Sequence, residues 1–219
     1  SAASDVYKRQ GYTLHDLYKE AHTPWEWHEP IMARAAERGI HCFSSPFDET
    51  AVDFLESLNV PAYKIASFEN TDVRLIRKAA STGKPLIIST GMASVAEIDE
   101  AVQAARSAGC TQLCLLKCTS AYPSPPEQVN LRTIPHLGAT FGCTVGLSDH
   151  TMGTGVPVAA VALGAAVIEK HFTLRRADGG VDSAFSLEPA ELRQLRADTE
   201  QAWLSLGQVS FGMTGVEEK

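Results

Sequence analysis

The sequence lacks an uninterrupted apolar segment long enough to cross a membrane, because Pro157 and Gly164 interrupt its longest apolar run, residues 156–168 (VPVAAVALGAAVI). It also lacks a signal-peptide pattern at its start and a basic stripe with interleaved aromatic residues. The 219 residues carry a net charge of −7, which disfavours nucleic acids and anionic membranes as partners. We therefore expect a soluble, cytoplasmic protein that acts on small molecules.

Cysteine pairs with metal-binding or redox spacing are also missing. The sequence contains five cysteines, none in a C-x-x-C pair, and Cys110, Cys114 and Cys118 recur at every fourth residue. That spacing would align thiols on a helix, but the stretch around them is typical of a strand. Buried free cysteines behave as small hydrophobes, and an odd count fits a reducing compartment. We expect structural thiols.

Short apolar segments alternate along the chain with amphipathic ones. Capping boxes at Thr23–Glu26 and Ser94–Glu97 predict helix starts, the first helix reaching about Arg38, while Pro135 interrupts the weakest helix pattern, 128–139. The alternation predicts a parallel sheet with helices on both faces. The six predicted strands are 40–45, 62–67, 85–90, 113–119, 144–149 and 167–173.

Polar side chains lie near the carboxyl end of every predicted strand. In a closed (β/α)8 barrel all these ends meet at one mouth, whereas an open doubly wound sheet gathers them at one switch point. We therefore favour the barrel. The residues concerned are Ser44, Ser45, Lys64, Ser67, Ser89, Thr90, Lys117, Thr119, Ser148, His150 and His171.

A complete barrel needs eight strands in about 250 residues, and only six are predicted. We therefore expect an α/β fold that is a partial (β/α)8 TIM barrel over residues 12–207, without the first two strand-helix units. Residues 1–11 are expected to be a non-native or disordered start. Residues 208–219 are expected to be a tail or a linker toward a further domain.

Two histidines follow neighbouring predicted strands. Side chains alternate along a strand, so Ser148 and His150 share one face of VGLSDHT (145–151), and Glu169 and His171 share one face of VIEKHFT (167–173). Neighbouring strands lie about 4.8 Å apart, close enough for two imidazoles to bind one divalent ion. From the spacing alone, a pair of core histidines hydrogen-bonded to backbone is the more common explanation.

Lysines inside strands are a stronger signal. An inward-facing lysine has to pair with an anion or lose its proton. Lys64 and Lys117 are predicted to point inward, and Lys170 to point outward and extend between helices. Serines accompany the inward lysines and suggest an anion cradle for phosphate, or for carboxylate as the second choice. These serines are Ser45, Ser67, Ser89 and Ser148.

Several segments together resemble the nonulosonic (sialic) acid synthase family over about residues 12–207. They are YKIASFE, LIISTGM, LLKCTSAYP, VGLSDHT and VIEKHFTL, in this order. Within that family, DLYKEAHTPWEWH, KCTSAYPSP and RADGGVDSAFSLEP are most similar to pseudaminic acid synthases. The resemblance implies a transferase that condenses phosphoenolpyruvate with an amino-sugar aldehyde of the 2,4-diacetamido-2,4,6-trideoxy-altrose type. The products would be pseudaminic acid and phosphate, and the cofactor a divalent metal, Mn²⁺ or Mg²⁺.

The resemblance also implies roles for individual residues. His150 and His171 would hold the metal, and Glu69 and Lys64 would be catalytic. Phosphoenolpyruvate would contact Ser45, Lys64, Ser67, Ser89 and Ser148, and the sugar would contact Ser120, Tyr122 and Asp182.

Two features of the family are missing from this sequence. Members carry two earlier strands and a C-terminal antifreeze-like domain that reaches the partner's site in homodimers. We therefore expect this chain alone to be weakly active or inactive. Three alternatives remain: N-acetylneuraminate synthase, a Schiff-base aldolase using Lys64 or Lys117, and an inactive barrel fragment.

Overall fold

Five parallel strands form one sheet in the computed structural model, which describes residue 19 and residues 22–217. The strands pair in chain order, β1-β2-β3-β4-β5, and a helix follows each of them. The strands are β1 (Tyr63–Ile65), β2 (Leu86–Ser89), β3 (Leu113–Cys118), β4 (Thr144–Asp149) and β5 (Val167–Lys170). The longer helices are α1 (His28–Glu37), α2 (Glu49–Ser57), α3 (Val73–Ala80), α4 (Val95–Ser107), α5 (Thr133–Phe141), α6 (Gly155–Ala162) and α7 (Pro189–Leu206).

Local sequence explains where most helices begin. The predicted capping box at Ser94 and Glu97 opens α4, and the Asp72 carboxylate accepts hydrogen bonds from two amides at the start of α3. The predicted box at Thr23 does not form. A 3-10 turn over Trp25–Trp27 precedes α1, and its N-cap is Pro24, so the threonine lies one residue too early to cap it.

The two faces of the sheet differ in chemistry. Tyr63, Ile65, Ile88, Leu115 and Leu147 are buried in the core between the sheet and its helices. The residues that alternate with them point to the opposite face and include charged and hydroxyl side chains. The apolar face supplies the burial that stabilises the fold, and the other face is available for a site.

The sheet curls strongly. Lys64 lies on β1 and Glu169 on β5, the two edge strands, yet Lys64 Nζ is 3.3 Å from Glu169 Oε2. In a flat sheet, four strand spacings would separate these edges by about 19 Å, which is beyond the reach of the two side chains. The predicted partial barrel is therefore confirmed as a curled half-barrel with five strands.

The first of the six predicted strands, residues 40–45, does not form. The Ile40 amide donates to Ala35 O at the end of α1, and β1 pairs with β2 alone among the described residues. Ile40 and Phe43 remain 63% and 38% exposed, because without a ladder the segment has no sheet face on which to bury them.

The predicted start at residues 1–11 lies outside the described residues. Residues 207–217 follow α7 without a further helix or strand. Among the described helices, none combines the length and the apolar character that crossing a membrane requires.

Candidate functional site

The ends of β4 and β5 bring His150 and His171 together on the concave face. Their ring centroids are 5.2 Å apart, with an angle of 57° between the ring planes. His150 Nδ1 donates to Thr119 O at 3.1 Å, and His171 Nδ1 lies 3.5 Å from Asp182 Oδ2. Each imidazole is thus oriented through one nitrogen by a neighbouring loop.

Aromatic side chains enclose the histidine pair. The Tyr122 ring lies 4.4 Å from His150 between centroids, and Phe185 lies 5.0 Å from His171. Burial lowers the pKa of His171, although Asp182 opposes the shift. At His150 burial also favours a lower pKa, but the contacts with Cys118 and the Thr119 carbonyl outweigh it and raise the pKa of His150.

An ion pair and a serine hydroxyl lie beside the histidines. Glu169 accepts a hydrogen bond from Ser148 Oγ at 2.5 Å through one carboxylate oxygen, and the other oxygen lies 3.3 Å from Lys64 Nζ. Ser148 and Glu169 are register partners on β4 and β5, which explains their contact. Glu169 was not among the predicted site residues, although its shared face with His171 was the signal that could have found it.

A second group of side chains centres on Cys118. Ser67 Oγ donates to Cys118 Sγ at 3.2 Å, and Ser120 Oγ lies 3.8 Å from the same sulfur. Burial opposes ionisation, but hydrogen bonds from His150 and Ser67 lower the pKa of the Cys118 thiol to about 7. Cys118 is buried and free, as expected, but it faces the site.

Two polar atoms of this face are buried without a hydrogen-bond partner among the described residues: Glu69 Oε2 and Ser89 Oγ. Burial raises the pKa of Glu69, and the nearby Lys64 opposes that shift. Buried polar atoms are normally paired. The Glu69 carboxylate oxygen and the Ser89 hydroxyl are therefore available to bind a ligand or water.

Three predictions from strand alternation had different outcomes. Lys117 points away from the histidines, because it alternates with Cys118, and it donates to Thr119 Oγ1 and Cys118 O. The prediction that it points inward was wrong. Lys170 does point away from the concave face, but it is buried in an ion pair rather than extended toward solvent. Ser45 is half-buried in the segment that forms no strand, so no ladder fixes its position.

The separation of the two imidazoles allows one shared metal ion, which would replace the hydrogen bond between His150 and Cys118. The two ring centroids lie 5.2 Å apart, so His150 and His171 would both be within reach of a divalent ion held between them. No group of three or more His, Cys, Asp or Glu side chains suited to a metal occurs in the part of the chain that the structure describes. The described residues therefore offer a pair of ligands rather than a complete protein-derived set.

The curled parallel sheet, with its polar strand ends, defines an α/β protein of the TIM-barrel type. A truncated 3-deoxy-D-arabino-heptulosonate 7-phosphate synthase from Thermotoga maritima matches with a TM-score of 0.74, over 84% of this chain and 73% of that chain. At 16% identity, this match shows the fold alone.

The chain belongs to the NeuB family, whose sequence model matches residues 2–211. A pseudaminic acid synthase from Helicobacter pylori is 45% identical over 195 residues, which are 89% of this chain and 57% of that relative. The crystal structure of an N-acetylneuraminic acid (sialic acid) synthetase from Leptospira borgpetersenii serovar Hardjo-bovis, in complex with citrate, matches at 32% identity with a TM-score of 0.88. That match covers 97% of this chain and 75% of the other. The resemblance to nonulosonic acid synthases is thereby confirmed, and the chain spans less than two thirds of the length of the Helicobacter relative.

Proposed function

We propose that the protein carrying this chain is a metal-dependent nonulosonic acid synthase. It condenses phosphoenolpyruvate with an open-chain amino-sugar aldehyde of the 2,4-diacetamido-2,4,6-trideoxy-altrose type, giving pseudaminic acid and phosphate. The observation that carries the proposal is the convergence of a lysine, hydroxyl groups and two imidazoles on one concave face. Lys64 and Ser148 both contact Glu169, two residues before His171.

Phosphoenolpyruvate is an anion, and the concave face offers the groups that bind one. Lys64 supplies a buried cation, Ser67 and Ser148 supply hydroxyls, and Ser89 Oγ is buried with no hydrogen-bond partner among the described residues. We assign these four residues, together with Ser45, to phosphoenolpyruvate. Burial strengthens such contacts, because the low local dielectric weakens them less than water does.

His150 and His171 would hold the divalent metal, Mn²⁺ or Mg²⁺. When bound, the metal supplies a Lewis acid that polarises the aldehyde oxygen of the sugar. Ser120, Tyr122 and Asp182 are assigned to the sugar, since Tyr122 packs on His150 and Asp182 contacts His171. Both contacts support a sugar position beside the histidine pair.

The reaction joins C3 of phosphoenolpyruvate to the aldehyde carbon. The C3 electrons form the new bond, while the π electrons of the aldehyde C=O move to its oxygen and positive charge develops at C2. Water adds at C2 and gives one proton to the new alkoxide and the other to the phosphate, as the C2–O bond to phosphate breaks and C2 becomes a carbonyl. Lys64 and the serines hold the phosphate throughout, and Glu69, whose pKa is raised by burial, exchanges the proton of the attacking water. Much of the acceleration would come from positioning the two substrates together.

Two observations disfavour the Schiff-base alternative, one for each candidate lysine. Lys64 Nζ lies in an ion pair with Glu169, whereas a Schiff-base nucleophile has to be a neutral amine. Lys117 lies on the opposite face of the sheet from the histidines.

The test is an assay of phosphate release by the complete protein encoded by the gene, which we expect to be a homodimer. We expect turnover with phosphoenolpyruvate and 2,4-diacetamido-2,4,6-trideoxy-altrose, much slower turnover with N-acetylmannosamine, and loss of activity with EDTA that Mn²⁺ restores. Faster turnover of N-acetylmannosamine would assign the protein to the N-acetylneuraminate synthases instead. Full activity in EDTA together with a borohydride-trapped adduct on Lys64 would replace the proposal by the aldolase.

A further inference from the structure

A buried ion pair lies behind the two histidines. Lys170 Nζ is 2.9 Å from Asp149 Oδ2, and the two side chains are 3% and 0% exposed. Each member precedes one of the histidines in sequence, His171 and His150. Because side chains alternate along a strand, the ion pair points to the helix side of the sheet while the imidazoles point to the concave side.

Hydrogen bonds from both side chains to the backbone of Thr151 close a ring around this ion pair. Lys170 Nζ donates to Thr151 O at 2.5 Å, and the Thr151 amide donates to Asp149 Oδ1 at 2.9 Å. The residues on both sides of His150 are therefore tied to Lys170 on the neighbouring strand.

The ion pair is also the last cross-strand link before the histidines. The β4–β5 ladder ends at the register partners Asp149 and Lys170. Beyond it the segments that follow β4 and β5 pair with different partners. His150 O accepts from the Ser124 amide, and His171 O accepts from the Leu187 amide. The ladder itself therefore does not fix the separation of the imidazoles.

Stability alone does not explain such an ion pair. Removing two charges from water costs about as much as their attraction returns, so an apolar or neutral pair of similar volume is often equally stable. A buried ion pair does, however, specify one geometry.

We propose that Asp149 and Lys170 are positioning residues that fix the spacing of the His150 and His171 imidazoles, and through it the affinity of the metal site. The part concerning the metal rests on the proposed function. The part concerning the spacing of the rings does not.

The test compares two variants of the complete protein, Lys170→Met and the double variant Asp149→Asn/Lys170→Met. The single variant leaves a buried carboxylate unpaired, so we expect a clearly lower Tm. The double variant is neutral and similar in volume, so its Tm should return close to that of the wild type. The matched control is Asp53→Asn/Lys78→Met, which removes a 2.6 Å ion pair from the helical surface.

Two measurements then separate positioning from stability. The first is Mn²⁺ affinity, from the electron paramagnetic resonance signal of free Mn²⁺. Residues that orient metal ligands typically change metal affinity 10- to 100-fold, and we expect a loss of roughly that size in the double variant and none in the control. The second is the nuclear Overhauser effect between the His150 and His171 rings in metal-free protein, which we expect to weaken in the double variant.

A double variant that keeps both the wild-type Mn²⁺ affinity and the wild-type ring signal would overturn the inference. If wild-type protein binds Mn²⁺ no better than His150→Ala, the metal part of the proposed function fails, and the ring signal alone decides the positioning role. Lys170→Gln removes the cation but keeps a donor toward Thr151. It is judged by the same measurements if the double variant does not fold.

Discussion

At the scale of single residues, Gly91 shows how a missing side chain shapes the site. A Cβ atom at this position would lie 2.4 Å from Ser120 Oγ and 2.6 Å from Ser67 Oγ. In Gly91→Ala both hydroxyls have to rotate away, so we expect the KM for phosphoenolpyruvate to rise roughly tenfold, while overpacking costs about 1–3 kcal/mol of stability. Steady-state kinetics and urea unfolding measure the two effects.

The control is Gly155→Ala, because a Cβ there meets nothing within 4 Å. An unchanged KM in Gly91→Ala, or an equal change in both variants, would show that the two hydroxyls do not need their present positions.

Alternation along strands was sufficient to place Ser148, His150 and His171 on one face from sequence. It could not show what surrounds a side chain that points the other way. Lys170 was predicted to extend between helices. Its ion-pair partner, Asp149, lies across the ladder, and only the strand register reveals that the two residues meet. Glu169 was missed for a related reason, since its partners Lys64 and Ser148 lie on other strands.

At the scale of helices and strands, the N-caps give a prediction that separates sequence pattern from structure. Asp72 Oδ1 accepts from the Arg74 and Leu75 amides at 3.1 and 3.0 Å. Asp72→Ala should therefore lower the free energy of unfolding by about 1 kcal/mol, as measured by urea denaturation. Thr23→Ala is the control, because Thr23 has the sequence pattern of a cap but does not occupy the N-cap position. We expect a change of less than about 0.5 kcal/mol there, and equal losses in the two variants would contradict this assignment of caps.

Five of the six strands could be predicted because each is a short apolar run between helix signals. Residues 40–45 show the same pattern but form no strand, since a strand also needs a neighbour, which the pattern does not reveal. The opposite error affected α5: Pro135 made this helix look weak, yet it is the third residue of the helix, where its missing N–H costs no intrahelical hydrogen bond.

At the scale of the whole molecule, the curl of the sheet creates the site. Polar strand ends were enough to favour a barrel over an open sheet, because they occur on every predicted strand. They did not show that the two edge strands approach closely enough for Lys64 and Glu169 to touch. That contact depends on the twist and tilt of all five strands together, which no local pattern records.

Lys64 therefore gives the prediction that depends on the whole half-barrel. Glu169 is 39% exposed, so solvent screens the ion pair, and Lys64→Met should cost no more than about 1 kcal/mol of stability. The same change removes the cation assigned to phosphate, so we expect kcat/KM for phosphoenolpyruvate to fall at least about 100-fold, because charge-assisted hydrogen bonds contribute more than neutral ones. Lys84→Met is the matched control, since it breaks a 2.7 Å ion pair with Glu56 whose side chains are 21% and 37% exposed. We expect a similar small loss of Tm there with unchanged kinetics. If Lys64→Met instead kept its kcat/KM, or lost its activity only in proportion to unfolded protein, Lys64 would be a structural link between the sheet edges rather than a group that binds substrate.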